Sequence, residues 1–282
     1  MHEISEHAVI CTGSQNRPFL VRAYVPQPVR GPLVLWLHGF KGFSDWGPFP
    51  AACRAMAQAG FAVAQVNFSH NGTSPQHPAD FVDLEAFSVN TYGMEVQDAT
   101  AAMRALLGSQ GKELGIAADS VYVVGHSRGG GIAMLFADLH PQVNGLATWA
   151  GVADFNRRMK ARQMQYWKDK GVIYTFNART QQHMPMRYSI WEDYEQHAND
   201  YDLEACAKRL HKPWLILHGS ADEAVPVAEA KQLSIWQPNA QTCFLQGSNH
   251  TFGGKHPWLD NHLPPHLEHV VTRTLRHLSG IC

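Results

Sequence analysis

The sequence is poor in charge. Asp, Glu, Lys and Arg make up 17% of its 282 residues, and 23 basic residues against 24 acidic ones leave a formal net charge of −1. A chain so balanced has no overall field to gather nucleic acid or an anionic membrane surface, so neither is expected as a partner. Long apolar runs are also missing. Leu33 to Leu37 and Val121 to Val124 are far shorter than the roughly 20 residues that span a bilayer, so no membrane span is expected. The opening residues MHEISEHAVICTG carry acids and histidines where a secretory signal would have a basic start and a continuous apolar stretch, and the chain reads as cytoplasmic. Cysteine is sparse: Cys11, Cys53, Cys206, Cys243 and Cys282 are odd in number and widely spaced, with no C-x-x-C. That argues against a disulfide framework or a zinc knuckle, and reduced thiols are expected.

Apolar residues make up 45% of the chain, enough for a sizeable core in one or two domains. Short β-branched or aliphatic runs alternate with longer amphipathic stretches, the pattern of an α/β fold with a mostly parallel sheet and helices on both faces. Strands are predicted at Glu3 to Thr12, Phe19 to Val25, Leu33 to His38, Ala62 to Asn67, Ser120 to Gly125, Gly145 to Ala150, Trp214 to His218 and Thr242 to Gln246. Helices are predicted at Phe49 to Ala59, Thr91 to Leu107, Gly129 to Leu139, Ala228 to Trp236 and His266 to Leu278. The first two strands flank the turn-rich GSQNRP and form a hairpin.

The alternation breaks once. About sixty residues separate the strand ending near Ala150 from the one starting at Trp214, more than a crossover helix needs. The reading is therefore a core domain of residues 1–151 and 206–282 with an insertion at 152–205. Between Val152 and Gln196 lie eight aromatics, Phe155, Tyr166, Trp167, Tyr174, Phe176, Tyr188, Trp191 and Tyr194, together with Met159, Met164, Met184 and Met186. Such a segment suits a lid over an apolar pocket, with Trp167, Phe176 and Trp191 as candidate substrate contacts, or a dimerisation arm that packs on a second copy of the chain. The basic run RRMKAR, residues 157–162, reads as the solvated face of a lid helix capped by Asp154.

The residues VYVVGHSRGG place Gly125, Ser127 and Gly129 in a G-x-S-x-G pattern between a predicted strand and a predicted helix, the context of a nucleophile elbow. A serine hydroxyl needs a base to take its proton, and that base needs an acid to hold its tautomer. WLILHG runs into SADEAVP, which puts Asp222 just past a strand's carboxyl end, with Glu223 and Asp154 as rival acids. TCFLQG runs into SNH, which puts His250 on the same edge, with His256 as its rival. The order Ser127, Asp222, His250 is the order in which this architecture places a triad. An oxyanion also needs fixed amides, and the turn after LVLWL together with the residue following the serine offers those of Phe40 and Arg128. His262, His266, His269 and Glu268 lack the spacing of a known zinc motif, so no metal or cofactor is expected.

HGFKG, GHSRGG, HGSADEAVP and GSNHTF, in this order and spacing, resemble the α/β-hydrolase family of serine esterases over roughly residues 20–280. The resemblance is closest to small acyl and cinnamoyl esterases with a lid inserted between the sixth and seventh strands, and more distant to dienelactone hydrolases, which carry a cysteine where this chain has Ser127. It implies hydrolysis of a small-molecule carboxylic ester, acyl or aromatic, through an acyl-enzyme with water as second substrate. A serine peptidase and a catalytically silent binding protein on the same fold are the alternatives.

Overall fold

The computed structural model describes residues 2–156 and 161–280. In chain order its elements are β1 (Glu3–Thr12), β2 (Pro18–Gln27), β3 (Leu33–Leu37), α1 (Phe49–Gln58), β4 (Val63–Asn67), α2 (Leu84–Ser88), α3 (Tyr92–Leu107), α4 (Ser109–Glu113), β5 (Val121–His126), α5 (Arg128–Leu139) and β6 (Val143–Trp149). Then follow α6 (Ala161–Lys170), β7 (Val172–Asn177), β8 (Gln182–Arg187), α7 (Ser189–Gln196), α8 (Leu203–Arg209), β9 (Trp214–Gly219), α9 (Val227–Trp236), β10 (Gln241–Leu245) and α10 (Pro265–Ser279).

Eight strands form one sheet in the order β1-β2-β4-β3-β5-β6-β9-β10. The β1–β2 hairpin and the β2–β4 pair are antiparallel, and every other pairing is parallel. Strands β3, β4, β5 and β9 are buried along their whole length, because helices cover both faces. Alternation divides their side chains between two cores. Leu33, Leu35, Leu37, Val121 and Val123 pack with Val96, Ala99, Met103 and Ile132 of α3 and α5 on one face. Val34, Trp36, Tyr122 and Val124 pack with Cys53, Met56, Val270 and Val271 of α1 and α10 on the other.

The chain leaves β3 toward β4 on one side and later enters β5 on the other. The crevice beyond the carboxyl ends of β3 and β5 is thus a switch point of the topology, where open α/β sheets build their sites.

Periodicity located the core elements but not the short helices α2 and α4, each five residues long and below the length at which a helical repeat can be read. The segment between β6 and β9 holds α6, the antiparallel hairpin β7–β8, α7 and α8. Its last helix lies against α5 and α9, and Leu203, Cys206, Ala207 and Leu210 join the core of that face. The expected boundary at 205/206 therefore falls inside α8. The expected helix over RRMKAR begins outside the described residues; within them Asp154 Oδ1 accepts the backbone N–H of Asn156 at 2.8 Å.

Candidate active site

Ser127 sits between β5 and α5 with φ +58° and ψ −122°, a backbone conformation that L-residues rarely adopt. It is held there from both sides: its N–H donates to Trp149 O at 2.9 Å, and its carbonyl accepts from Gly130 N at 2.9 Å and Val152 N at 3.3 Å. The neighbouring glycines are steric requirements. A Cβ on Gly125 would lie 2.0 Å from Gly129 O, and one on Gly129 would lie 2.5 Å from Leu37 O. A Cβ on Gly39, in the turn after β3, would lie 2.7 Å from the Cβ of Ser127, so that turn and the serine pack backbone to side chain.

Asp222 follows β9, and its carboxylate is fully buried. Oδ1 accepts the N–H groups of Ala224 and Val225, each at 2.8 Å, and Oδ2 accepts His250 Nδ1 at 2.8 Å. Burial pushes this carboxyl up, but hydrogen bonds from His218 and His250, the charge of His250 and the Val225 amide outweigh it and hold the group well below the usual carboxylate range. An ionised Asp222 holds a proton of the His250 ring on Nδ1, so that Nε2 is the nitrogen available to act as a base. Of the rivals, His256 instead accepts Gly47 N–H at Nδ1, 2.9 Å away.

Two buried histidines that the sequence reading did not single out, His126 and His218, flank this pair, and a third, His38, follows β3 at the start of the turn that carries Gly39. His126, the last residue of β5, makes a hydrogen bond through Nε2 to His250 O at 3.0 Å, with its ring centroid 4.8 Å from that of His250. Burial and the charge of His250 push it down to about 3, so it is a neutral donor. His218 makes a hydrogen bond from Nε2 to Val225 O at 2.8 Å and lies 3.3 Å from Asp222 Oδ2. His38 accepts Phe68 N–H and Asn71 Nδ2 at its Nε2, at 3.3 and 3.2 Å, and donates from Nδ1 to Gly39 O at 2.9 Å. Burial pushes it, too, down to about 3. A polar residue ending an otherwise apolar strand was the signal available for His126 and His218, lost among seventeen histidines.

Arg128 is an ion-pair partner, though not a surface one. Its guanidinium binds Glu95 of α3, which is fully buried and also accepts Asn90 Nδ2 at 2.8 Å. The same guanidinium lies 4.8 Å from the Phe40 ring centroid and 5.9 Å from that of Tyr92. In sequence Glu95 looks like an ordinary first-turn acid of α3, and nothing local announces its burial.

Ser127, Arg128, Phe40 and His250 line a cavity of about 510 Å³ whose far wall includes Trp167, Ile173, Met186, Ile190, Trp191 and Tyr194 of the insertion. Core residue Tyr92 and the insertion's Phe155, stacked at 4.1 Å, complete the aromatic wall. Two of the three predicted contacts, Trp167 and Trp191, are thus at the cavity. Phe176 is not: its ring is 46% exposed on β7 and lies against His183, outside the lining. Asp154 also lines the cavity, but the carboxylate that accepts from His250 Nδ1 is that of Asp222. Among the described residues no group of three or more His, Cys, Asp or Glu could hold a metal ion, and no helix is long and apolar enough to cross a membrane.

A mostly parallel eight-stranded sheet with a serine in a strained strand-to-helix turn is the α/β-hydrolase fold. The chain belongs to the family described as serine aminopeptidase, S33, whose model matches residues 29–251, and it is a hydrolase of that family. It is similar to Est1E from Butyrivibrio proteoclasticus solved with ferulic acid bound, at 18% identity and a TM-score of 0.72 over 96% of this chain and 98% of that one. A dienelactone hydrolase from Anabaena variabilis aligns at 14% identity and a TM-score of 0.65 over 99% of both chains. A puromycin hydrolase aligns at 17% identity and 0.67, over 99% of this chain and 39% of that one. No curated protein matches the chain.

Proposed function

We propose that the chain cleaves carboxylic esters, acyl or aromatic, through an acyl-enzyme formed on Ser127. The observation that carries this reading is the 2.8 Å bond from His250 Nδ1 to a buried, ionised Asp222, with His250 and Ser127 at one cavity. His250 Nε2 takes the Ser127 proton as Oγ bonds to the ester carbon. The amides of Phe40 and Arg128 receive the oxyanion, whose negative charge also faces the positive end of α5. Collapse breaks the bond to the alcohol oxygen, which takes the proton from His250. Water then repeats the sequence on the acyl-enzyme, returning the acid and free Ser127. His126 and His218 act as positioning residues, one bonded to the backbone of His250 and the other beside Asp222.

Helices α6 and α7 and the β7–β8 hairpin form a cap over the acyl or alcohol group, with Trp167 and Trp191 as contacts. An apolar, aromatic wall favours an aromatic ester, and the ferulic acid bound to a structure of the same fold supports that choice. The family description favours one second reading, hydrolysis of an amide at a peptide N-terminus by the same groups. A panel of p-nitrophenyl esters of rising length, hydroxycinnamate esters and aminoacyl amides decides between them. Ester turnover without amide turnover supports the first, the reverse supports the second, and silence on all of them with no fluorophosphonate labelling of Ser127 removes both.

A further inference from the structure

The turn that carries Phe40 is not held by the core alone. Lys41, beside Phe40, has φ +55° and reaches across to the insertion, where its Nζ donates to Phe176 O of β7 at 2.9 Å. Met184 of β8 is fully buried in a small cluster with Phe43, Phe81 and Phe87, against which Phe40 packs. The Phe40 and Phe87 rings are 5.6 Å apart. Arg179, in the tip of the same hairpin, lays its guanidinium 4.8 Å from the Phe43 ring centroid and donates to Ala79 O at 3.2 Å. The hairpin is therefore clamped onto both ends of the turn after β3, through one methionine and two cations.

We infer that the β7–β8 hairpin is a buttress of the oxyanion turn, and that Met184 and Arg179 are positioning residues for the Phe40 amide. This rests on the reading above in which that amide receives the oxyanion. An oxyanion donor acts only if it is fixed before charge develops, and a donor misplaced by a fraction of an ångström loses much of its effect. Met184 is not among the cavity-lining residues, so a small ester need not touch it. Its removal should nevertheless slow every substrate, because the cavity it opens under Phe40 and Phe87 lets the turn relax.

The test is p-nitrophenyl acetate, too small to fill the wall of the cap. Turnover is expressed per Ser127 labelled at the end point by a fluorophosphonate, so that unfolded protein is not counted. Met184→Ala should lower kcat about tenfold with little change in KM, and Met184→Leu, which restores the volume, should recover most of it. Arg179→Gln, a surface change that keeps the fold if Met184→Ala does not, should lower kcat about threefold. Unchanged kcat per labelled site in both variants, with loss confined to bulky esters, would overturn the buttress and leave the hairpin a wall. Ser127→Ala in the same assay keeps the two readings apart: if it retained turnover, the serine mechanism would have failed, whatever the hairpin does.

Discussion

The central sheet and the insertion between β6 and β9 solve different problems with different residues. In the sheet, function depends on closeness: Gly39, Gly125 and Gly129 let backbones meet where any side chain would collide, and Ser127 is forced into a left-handed conformation by hydrogen bonds on both sides. In the insertion, function depends on surface. Trp167, Ile173, Met186, Ile190, Trp191 and Tyr194 contribute apolar area to a cavity, while other faces of the same elements, such as Tyr174 and Phe176, stand open to solvent. The difference teaches where each kind of change should register. Chemistry ought to respond to single atoms in the sheet, and selectivity to lost area in the insertion, with the β7–β8 hairpin crossing that division.

The largest effect that would break this comparison lies in the sheet. Ser127→Ala should lower ester turnover by on the order of 10⁵ to 10⁶ while leaving the fold intact, because no neighbouring group replaces the hydroxyl. Intact-protein mass spectrometry after fluorophosphonate treatment checks the assignment, since the adduct should form on Ser127 and be absent from the variant. Labelling of another serine, or activity within about tenfold of the parent, places the chemistry elsewhere.

Next in size is the acid. Asp222→Asn should lower kcat by on the order of 10³ to 10⁴, because an amide in that place can hold the imidazole in the wrong tautomer and no longer stabilises the imidazolium. Asp154→Asn, on the rim of the insertion, should change kcat by less than about threefold. Steady-state kinetics of the two variants on one ester give the ranking, and its reversal would move the acid from β9 to the segment after β6.

The placement of these residues was legible to different depths. Ser127 and its glycines could be read from the sequence because the constraint is local, five residues at a strand-to-helix junction. Asp222 and His250 could be read because each follows an apolar strand and so falls on the same sheet edge. Glu95 could not, because its partner is 33 residues away and its burial comes from α3 packing on α5. Phe176 was misread as a cavity residue for a related reason. Composition counts the aromatics of a segment, but in the β7–β8 hairpin the side of the strand decides which ring meets the cavity, and only the pairing of the strands sets that side.

Buried histidines sharpen the comparison through pH. His38 and His126, under the site, are pushed down to about 3, whereas a histidine in the unfolded chain takes its proton near pH 6.5. Between those values the unfolded state binds more protons than the native one, so stability falls as pH drops below about 6.5, by up to about 1.4 kcal/mol per pH unit for each histidine. Asp222 acts in the same direction: its carboxyl is held below the unfolded value, so its contribution is present above about pH 4 and is lost as pH falls further. Urea unfolding at pH 7.5, 6 and 5 should show the loss due to the histidines, and His38→Gln should flatten the slope between pH 6 and 5 even if it lowers stability overall. An unchanged slope would mean that His38 is not the buried neutral group its hydrogen bonds describe.

The smallest effect belongs to the insertion, and it separates wall from buttress. Trp191 lines the cavity, with its ring stacked 5.1 Å from that of Tyr194, and it takes no part in the cluster that clamps the turn after β3. Trp191→Ala should therefore remove apolar contact only from substrates long enough to reach it. At about 25 cal/mol per Å², the loss of some 50 to 60 Å² of contact costs about 1.4 kcal/mol, or about tenfold in kcat/KM for a hydroxycinnamate ester. For p-nitrophenyl acetate the change should stay within about twofold, the opposite of what is expected for Met184→Ala. The two variants measured on the two esters form a square in which substrate size matters for one residue and not for the other. If Trp191→Ala slowed both esters alike, contact area could not be the cause, and the aromatic wall would have to be counted with the frame that holds the reacting groups.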